Sequence, residues 1–536
     1  VNTWCRERPT ARAIAVLHGR IVAFDDDAES LSATARVRED FGELAVFPGF
    51  HDAHCHTPSY GISLGELDLS TPPVSSLDEL YGAVAARART TQAGGWVIGA
   101  GYDQNKIGGS HPARQRLDEA AGGRPVWLQH TSGHMCVVNS VVLEAIGPAL
   151  EGPIEGGSVV RDEDGRPTGL LQERAQALVQ ALVLPRSLEA IATAIGRAHD
   201  VYLSEGLTSV CDAGIAGGWI GQSPVELAAY QLARETGRLR VRSTVMPSSD
   251  VLAAVAGHED DDMRSALGLA TGLRTGLGDE WLRLGPVKVF SDGSLIGRTC
   301  WMEHGFEDDP DNSGYAQADP EHLRSVIVGA HLAGWQVATH AIGDAAVSFV
   351  LDCYAEALAR APRADHRHRI EHCGVTPPAS LARIAELGVI PVPQGRFIGE
   401  IGDGMLAALG EERARHAYRL ASFLDAGVTL PGSSDRPVVD GRPLLGIHDM
   451  ANRRTESGAA FAEDESLSVE QAMRAYSVGS AFAERTEGDR GSLALGQLAD
   501  FVVLGADPRD VRASEIRDVP VVATVVGGTL GYDARR

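Results

Sequence analysis

Two periodicities alternate along this chain. Short apolar runs that end in polar residues recur between stretches with the i, i+3, i+4 spacing of amphipathic helices. In order the runs are LAVFPGFHDAHCH (44–56), LTSVCDAG (207–214), LRVRSTVMPS (239–248), LRLGPVKVFSDGS (282–294), WQVATHAIGD (335–344), RHRIEHCG (367–374), GVIPVPQG (388–395) and GVTLPGSSD (427–435). Each reads as a short strand. Among the helical stretches, Ser76 with Glu79 forms a capping box ahead of Leu77, Leu80, Val84 and Ala88. Asp319 and Pro320 supply an N-cap and a first-turn proline for EHLRSVIVGAHLAG, and Ser468 with Gln471 opens VEQAMRAYSVGSAFA. Eight runs alternating with helices is the pattern of a (β/α)8 TIM-like barrel, an α/β fold.

Two features interrupt the alternation. About 150 residues separate the first run from the second, too many for one crossover. An insertion at about 60–190 is therefore expected after the first strand, with helices of its own and the strand-like GGWVIGAG (94–101). The two ends of the chain are also β-rich, at AIAVLHGRIVAF (13–24), GSLALGQLADFVVLGADP (491–508) and PVVATVVGGTLGY (520–532). They read as parts of one small β-unit assembled from both termini.

Composition narrows the function classes. The 536 residues are 44% hydrophobic, enough for one large domain and a smaller one. Lys and Arg total 48 against 72 Asp and Glu, a net charge of -24. Such a surface repels phosphate backbones and anionic membranes, so neither nucleic acid nor membrane is an expected partner. The seven cysteines are scattered without a CxxC pair, which fits a reducing cytoplasm better than a disulfide framework. No apolar segment resembles a signal peptide or a membrane span. A homodimer is compatible with the sequence.

Candidate chemistry collects where the barrel pattern places an active site, at the C-terminal ends of the runs. His54 and His56 end the first run and share a face, while Cys55 points away. Lys288 lies on the fourth run, His340 ends the fifth, His372 the sixth and Asp435 the eighth. One HxH among 18 histidines says little. Four histidines, a lysine and an aspartate at strand ends of one barrel say far more.

These stretches together resemble the amidohydrolase superfamily, in the branch called amidohydrolase family 3. The matching segments are PGFHDAHCH (48–56), GYDQNK (101–106), GHMCVVNS (133–140), GRPTGLLQERA (165–175), VKVFSDGSLIGRT (287–299), THAIGDAAV (339–347), RIEHCG (369–374), GSSD (432–435) and GSLALGQLADFVVL (491–504). They follow the family order over nearly the whole chain. TSGH (131–134) stands where DGH is usual, and Arg436 replaces a small residue in DRPV (435–438). Both departures fall near the expected substrate. The resemblance implies a metal-dependent hydrolase barrel over 48–487 and a composite β-sandwich from 1–47 and 488–536.

It also implies roles. His54 and His56 would hold a buried divalent ion and His340 and His372 a second, with zinc the expected metal, since imidazole suits it. Lys288, carboxylated by CO2, would bridge the two ions. Asp435 would touch one ion and carry the proton from water to the leaving nitrogen. Gln104, His134, Arg298, Arg396 and Arg436 are candidates to meet substrate, against the alternative that the arginines form structural ion pairs. Asp52 and His51 would orient ligands or cap the strand, Glu173 is a candidate extra ligand, and 305–320 reads as an exposed lid or rim loop. The expected activity is hydrolysis of a non-peptide C–N bond in a small N-substituted amide; N-substituted formamide deformylases are among the branch's activities. The alternatives are an N-acyl amino acid deacylase, a mononuclear deaminase with Lys288 idle, and a non-catalytic metal-binding scaffold.

Overall fold

The computed structural model describes residues 1–92, 94–217, 220–255 and 266–536. Two four-stranded parallel sheets carry the apolar runs. One is ordered Leu282–Leu284, Arg242–Pro247, Leu207–Ile215, Phe50–Cys55; the other is ordered Val287–Phe290, Val337–Ala341, Arg369–His372, Ile390–Val392. A parallel bridge from Ser248 to Lys288 links them. The fourth run is therefore split, because Gly285 and Pro286 interrupt it and proline has no N–H for a ladder. Helices such as Pro320–Leu332 and Asp344–Arg360 alternate with the strands and bury Ile327, Val347, Val350 and Tyr354 against Val289, Val337 and Ile370. Asp319 caps the first of these through the N–H groups of Glu321 and His322.

The fold is α/β and TIM-barrel-like, but the sheets do not close into a continuous barrel among the described residues. The eighth run forms no strand; Pro431 within it lacks an N–H. The segment still tracks the first strand. Ala53 N–H donates to the Gly432 carbonyl (2.9 Å), Asp435 N–H to that of His54 (2.7 Å) and His56 N–H to that of Arg436 (2.7 Å). Asp435 is thereby held beside His54 and His56 without a regular ladder.

Between the first two barrel strands lies a six-stranded mixed sheet, ordered Leu67–Asp68, Val97–Tyr102, Val126–His130, Met135–Val138, Pro167–Glu173, Gly157–Arg161. Helices Leu77–Thr90 and Arg114–Ala121 pack Leu80, Val84 and Leu117 against its Val97, Val126 and Leu128. The first helix is capped by Ser76, but the return bond of Glu79 goes to Ser75 rather than to Ser76. From the termini, Ala45–Pro48 pairs antiparallel with Phe501–Leu504, which continues to Val521–Val526 and Thr529–Asp533. The hairpin Ile14–Leu17 with Arg20–Phe24 shares a core with that sheet through Ile21, Phe24, Val46, Phe501 and Val525. Among the described residues no single helix is long and apolar enough to cross a membrane.

Candidate metal centre and active site

All six of the predicted metal ligands line one cavity of about 1160 Å³ at the C-terminal ends of the strands: His54, His56, Lys288, His340, His372 and Asp435. Its core is tight. The Nε2 atoms of His54 and His56 lie 3.1 and 3.0 Å from the same oxygen, Asp435 Oδ1. The ligand-capable atoms of these three residues lie within 4.8 Å of one another. The His54 ring centroid is 5.0 Å from that of His372, which is 4.4 Å from that of His340.

The remaining ring nitrogens show which atoms are available. His54 Nδ1 is 2.5 Å from Glu371 Oε2, and Glu371 is in turn gripped by Arg369 through two bonds of 2.7 and 2.8 Å. Burial would raise the Glu371 carboxyl, but the Arg369 guanidinium and then His54 outweigh it and hold it well below the usual carboxylate range. An ionised Glu371 accepts the Nδ1 proton and fixes the tautomer whose Nε2 lone pair faces the centre. His372 Nδ1 is likewise spent on Gln394 Oε1 (2.7 Å), leaving Nε2. His340 is anchored the other way, with Nε2 on the Gly293 carbonyl (3.0 Å), leaving Nδ1. Burial depresses the proton affinity of His372, to about 3, and that of His340. Both imidazoles are neutral and able to ligate.

Two orphan groups test whether a metal fits. His54 Nε2 is buried with no aligned hydrogen bond despite its 3.1 Å contact, and Lys288 Nζ is buried with none. Unpaired buried polar atoms are costly and rare, and this donor set of imidazoles and a carboxylate is what divalent ions such as zinc take. Burial lowers Lys288 to about 8, offset in part by Glu371 and Asp435. Its ammonium lies over the Phe290 ring, 4.8 Å from the centroid. Asp435 remains ionised: burial would raise its carboxyl, but the surrounding histidines, His54 first, drive it well below the usual range. Its backbone φ of +62° is unusual for a non-glycine residue and is held by the bonds to the first strand.

The structure places the other predicted residues differently. Arg298 does not line the cavity; it anchors its own loop through Asp308 and the Leu295 and Ile296 carbonyls. Arg396 and Arg436 reach the cavity wall, but Arg396 is held by Asp449 (2.6 Å) and Glu400 (2.8 Å). Arg436 is bound by Glu205 through two bonds of 2.6 and 3.0 Å and lies over the Tyr60 ring. Gln104 stands behind the wall, its Oε1 on His130 Nε2 (2.5 Å). His134 lines the cavity, with Nδ1 on Glu173 (2.8 Å). Glu173 also accepts from Gln317 and Thr299, so it supports His134 and does not face the ion site. Asp52 does not reach a ligand ring; it accepts from the His54 and Ser434 N–H groups and the Ser434 hydroxyl, tying the Asp435 segment to the first strand. His51 pairs with Glu484 (2.6 Å). The 305–320 loop is exposed at its acids but pinned by buried Phe306 and by Glu307 N–H to the Ala408 carbonyl.

Sequence reasoning missed Arg369, Glu371 and Gln394. The first two carried a signal: an R-x-E pair on one face of a strand otherwise read as buried needs a purpose.

Comparison with known proteins points to one family. The sequence model described as the amidohydrolase family matches residues 39–532. The N-substituted formamide deformylase of Arthrobacter pascens is 29% identical over 99% of this chain and 97% of its own. The Arabidopsis thaliana protein LONG AFTER FAR-RED 3 is 30% identical over 98% of this chain and 89% of its own. Among solved structures, an uncharacterized metal-dependent hydrolase from Pyrococcus horikoshii OT3 superposes with a TM-score of 0.71 at 26% identity, covering 93% of this chain and 94% of that one.

Proposed function

This chain belongs to the amidohydrolase family, and on that premise we propose that it is a metal-dependent hydrolase of a small, neutral N-substituted amide, yielding a carboxylic acid and an amine. The observation that carries the reading is the convergence of His54, His56 and Asp435, with His54 locked by Glu371 in the ligating tautomer. His54, His56 and Asp435 would hold one ion, and His340 and His372 would supply nitrogens for a second. A bound divalent ion supplies a Lewis acid and lowers the pKa of water toward neutrality.

The chain's own residues do the rest. Asp435, ionised and at the cavity wall, accepts the proton of the attacking water and returns it to the departing nitrogen. His134, held by Glu173, borders the same space and positions substrate. Lys288, lowered to about 8, has a reactive neutral fraction near neutrality. Addition of its amine to CO2, with loss of one proton, gives a carbamate that offers the anion two neighbouring ions require.

A neutral substrate is favoured because Arg298, Arg396 and Arg436 are each engaged by acids or carbonyls of the chain. The test compares an N-substituted formamide with an N-acyl amino acid of matched size on metal-loaded protein. Turnover of the neutral amide is expected. Turnover of the charged substrate alone, lost in Arg436→Ala, would replace this reading with a deacylase.

A further inference from the structure

A second, small pocket opens off the centre. It has a volume of about 20 Å³ and shares His134, His372, Asp435 and Ser132 with the main cavity. Its far wall is mostly apolar, with Ser294 and Tyr418 among its lining residues. Phe397, Ile401 and Met405 line it from one face of helix Arg396–Ala414, at i, i+4 and i+8. Ile296 and Ile342 close it from the loops that follow Lys288 and His340. Phe397 stacks at 20° on the His372 ring, 6.1 Å between centroids, so this wall begins at a candidate ligand. The wall residues belong to a packed cluster, separate from the barrel core, that also holds Met302 and Phe306.

Size and direction assign its occupant. A space of about 20 Å³ exceeds that of one water by little, room for one or two heavy atoms. The main cavity is far larger, and polar groups such as Glu66, Gln129 and Arg186 line it. When the C–N bond breaks, the amine takes the proton from Asp435 and leaves first, so its substituent must face the open cavity. The acyl carbon stays over the ligand cluster, and its substituent can fill this small apolar-walled pocket. Resting on the amide hydrolase reading above, we propose that this pocket is the acyl site and that Phe397, Ile401 and Met405 restrict the substrate to a short apolar acyl group, formyl to propionyl, with a larger N-substituent in the main cavity.

The test is an acyl-length series (formyl, acetyl, propionyl, butyryl, hexanoyl) on one amine, alongside an amine-length series on one acyl group. Wild type should lose about tenfold or more in kcat/KM beyond propionyl. Met405→Ala should move that cutoff outward by about two carbons and leave the amine series unchanged; Ile401→Phe should move it inward. Circular dichroism and metal content identify folded variants, and Met405→Val replaces any that fails. An unchanged acyl cutoff in folded variants, or a shift in the amine series instead, overturns the acyl assignment while leaving amide hydrolysis intact. A wild type that cleaves no amide overturns both.

Discussion

The strands Val337–Ala341 and Arg369–His372 have a histidine cluster at each end. At the C-terminal end stand His340 and His372, 4.4 Å apart by ring centroid. At the N-terminal end, His368 lies 4.9 Å from His331 and 4.7 Å from His366. His368 and His372 are separated by about 13 Å of extended chain, and both are buried. Ring spacing and burial do not distinguish the clusters. The nitrogens do. In the lower cluster, His331 Nε2 donates to the Ala361 carbonyl and its Nδ1 meets His368 Nε2; His368 Nδ1 accepts from Val337 N–H; His366 accepts from His368 N–H and donates to the Leu387 carbonyl. All six nitrogens are spent within the protein. In the upper cluster one nitrogen of each of His54, His340 and His372 is fixed and the other is left for an ion. A histidine site is recognised by this accounting and not by clustering.

The largest effect should come from the upper cluster. Asp435→Asn is expected to cut kcat by about 10²–10⁴-fold with a much smaller change in KM. Steady-state kinetics check this, and a variant within a few-fold of wild type would take Asp435 out of proton transfer. Next, Glu371→Gln should weaken metal binding by about 10–100-fold, because His54 loses its tautomer lock. Competition with a chelator measures it, and unchanged affinity would show that the lock is idle.

The lower cluster should respond in stability and not in metal. His368→Phe leaves Val337 N–H and His331 Nδ1 without partners and should cost about 1–3 kcal/mol, read by denaturant unfolding of the metal-free protein, with metal content unchanged. Burial first, then His366 and His331, and then the nearby arginines hold His368 well below its ordinary value, and burial also lowers His331 and His366. A folded-state value below the unfolded one means stability is fully present above about pH 6.5 and falls as pH drops below it, by up to about 1.4 kcal/mol per pH unit for His368. That slope should flatten in His368→Phe; an unchanged slope would place the acid sensitivity elsewhere. The smallest effect is expected for Arg298→Ala, which frees a loop anchored on Asp308 and should alter kcat/KM by no more than a few-fold. A loss of about 100-fold or more would return Arg298 to substrate binding.

The same accounting marks how far the sequence reads. His54, His56, His340 and His372 were legible because each closes an apolar run, and a strand end fixes where its last side chain goes; Asp435 closes a run too, but one that forms no strand and is held by its backbone bond to His54. Arg436 was legible as a neighbour of the site, but its partner Glu205 arrives from 231 residues away and leaves no local trace. The irregular eighth run follows from Pro431, whose missing N–H outweighs the apolar pattern around it. The six-stranded insertion was mostly hidden, since its strands mix directions and share no single period, and only the stretch around Val97–Tyr102 stood out.

The most direct test of this account is metal per chain, by elemental analysis, in wild type, in His54→Ala/His56→Ala and in His366→Asn/His368→Phe. One or two divalent ions are expected in wild type and in the lower-cluster variant, and a loss of at least one ion in the upper-cluster variant. Full metal in His54→Ala/His56→Ala, or a loss confined to the lower-cluster variant, would contradict it.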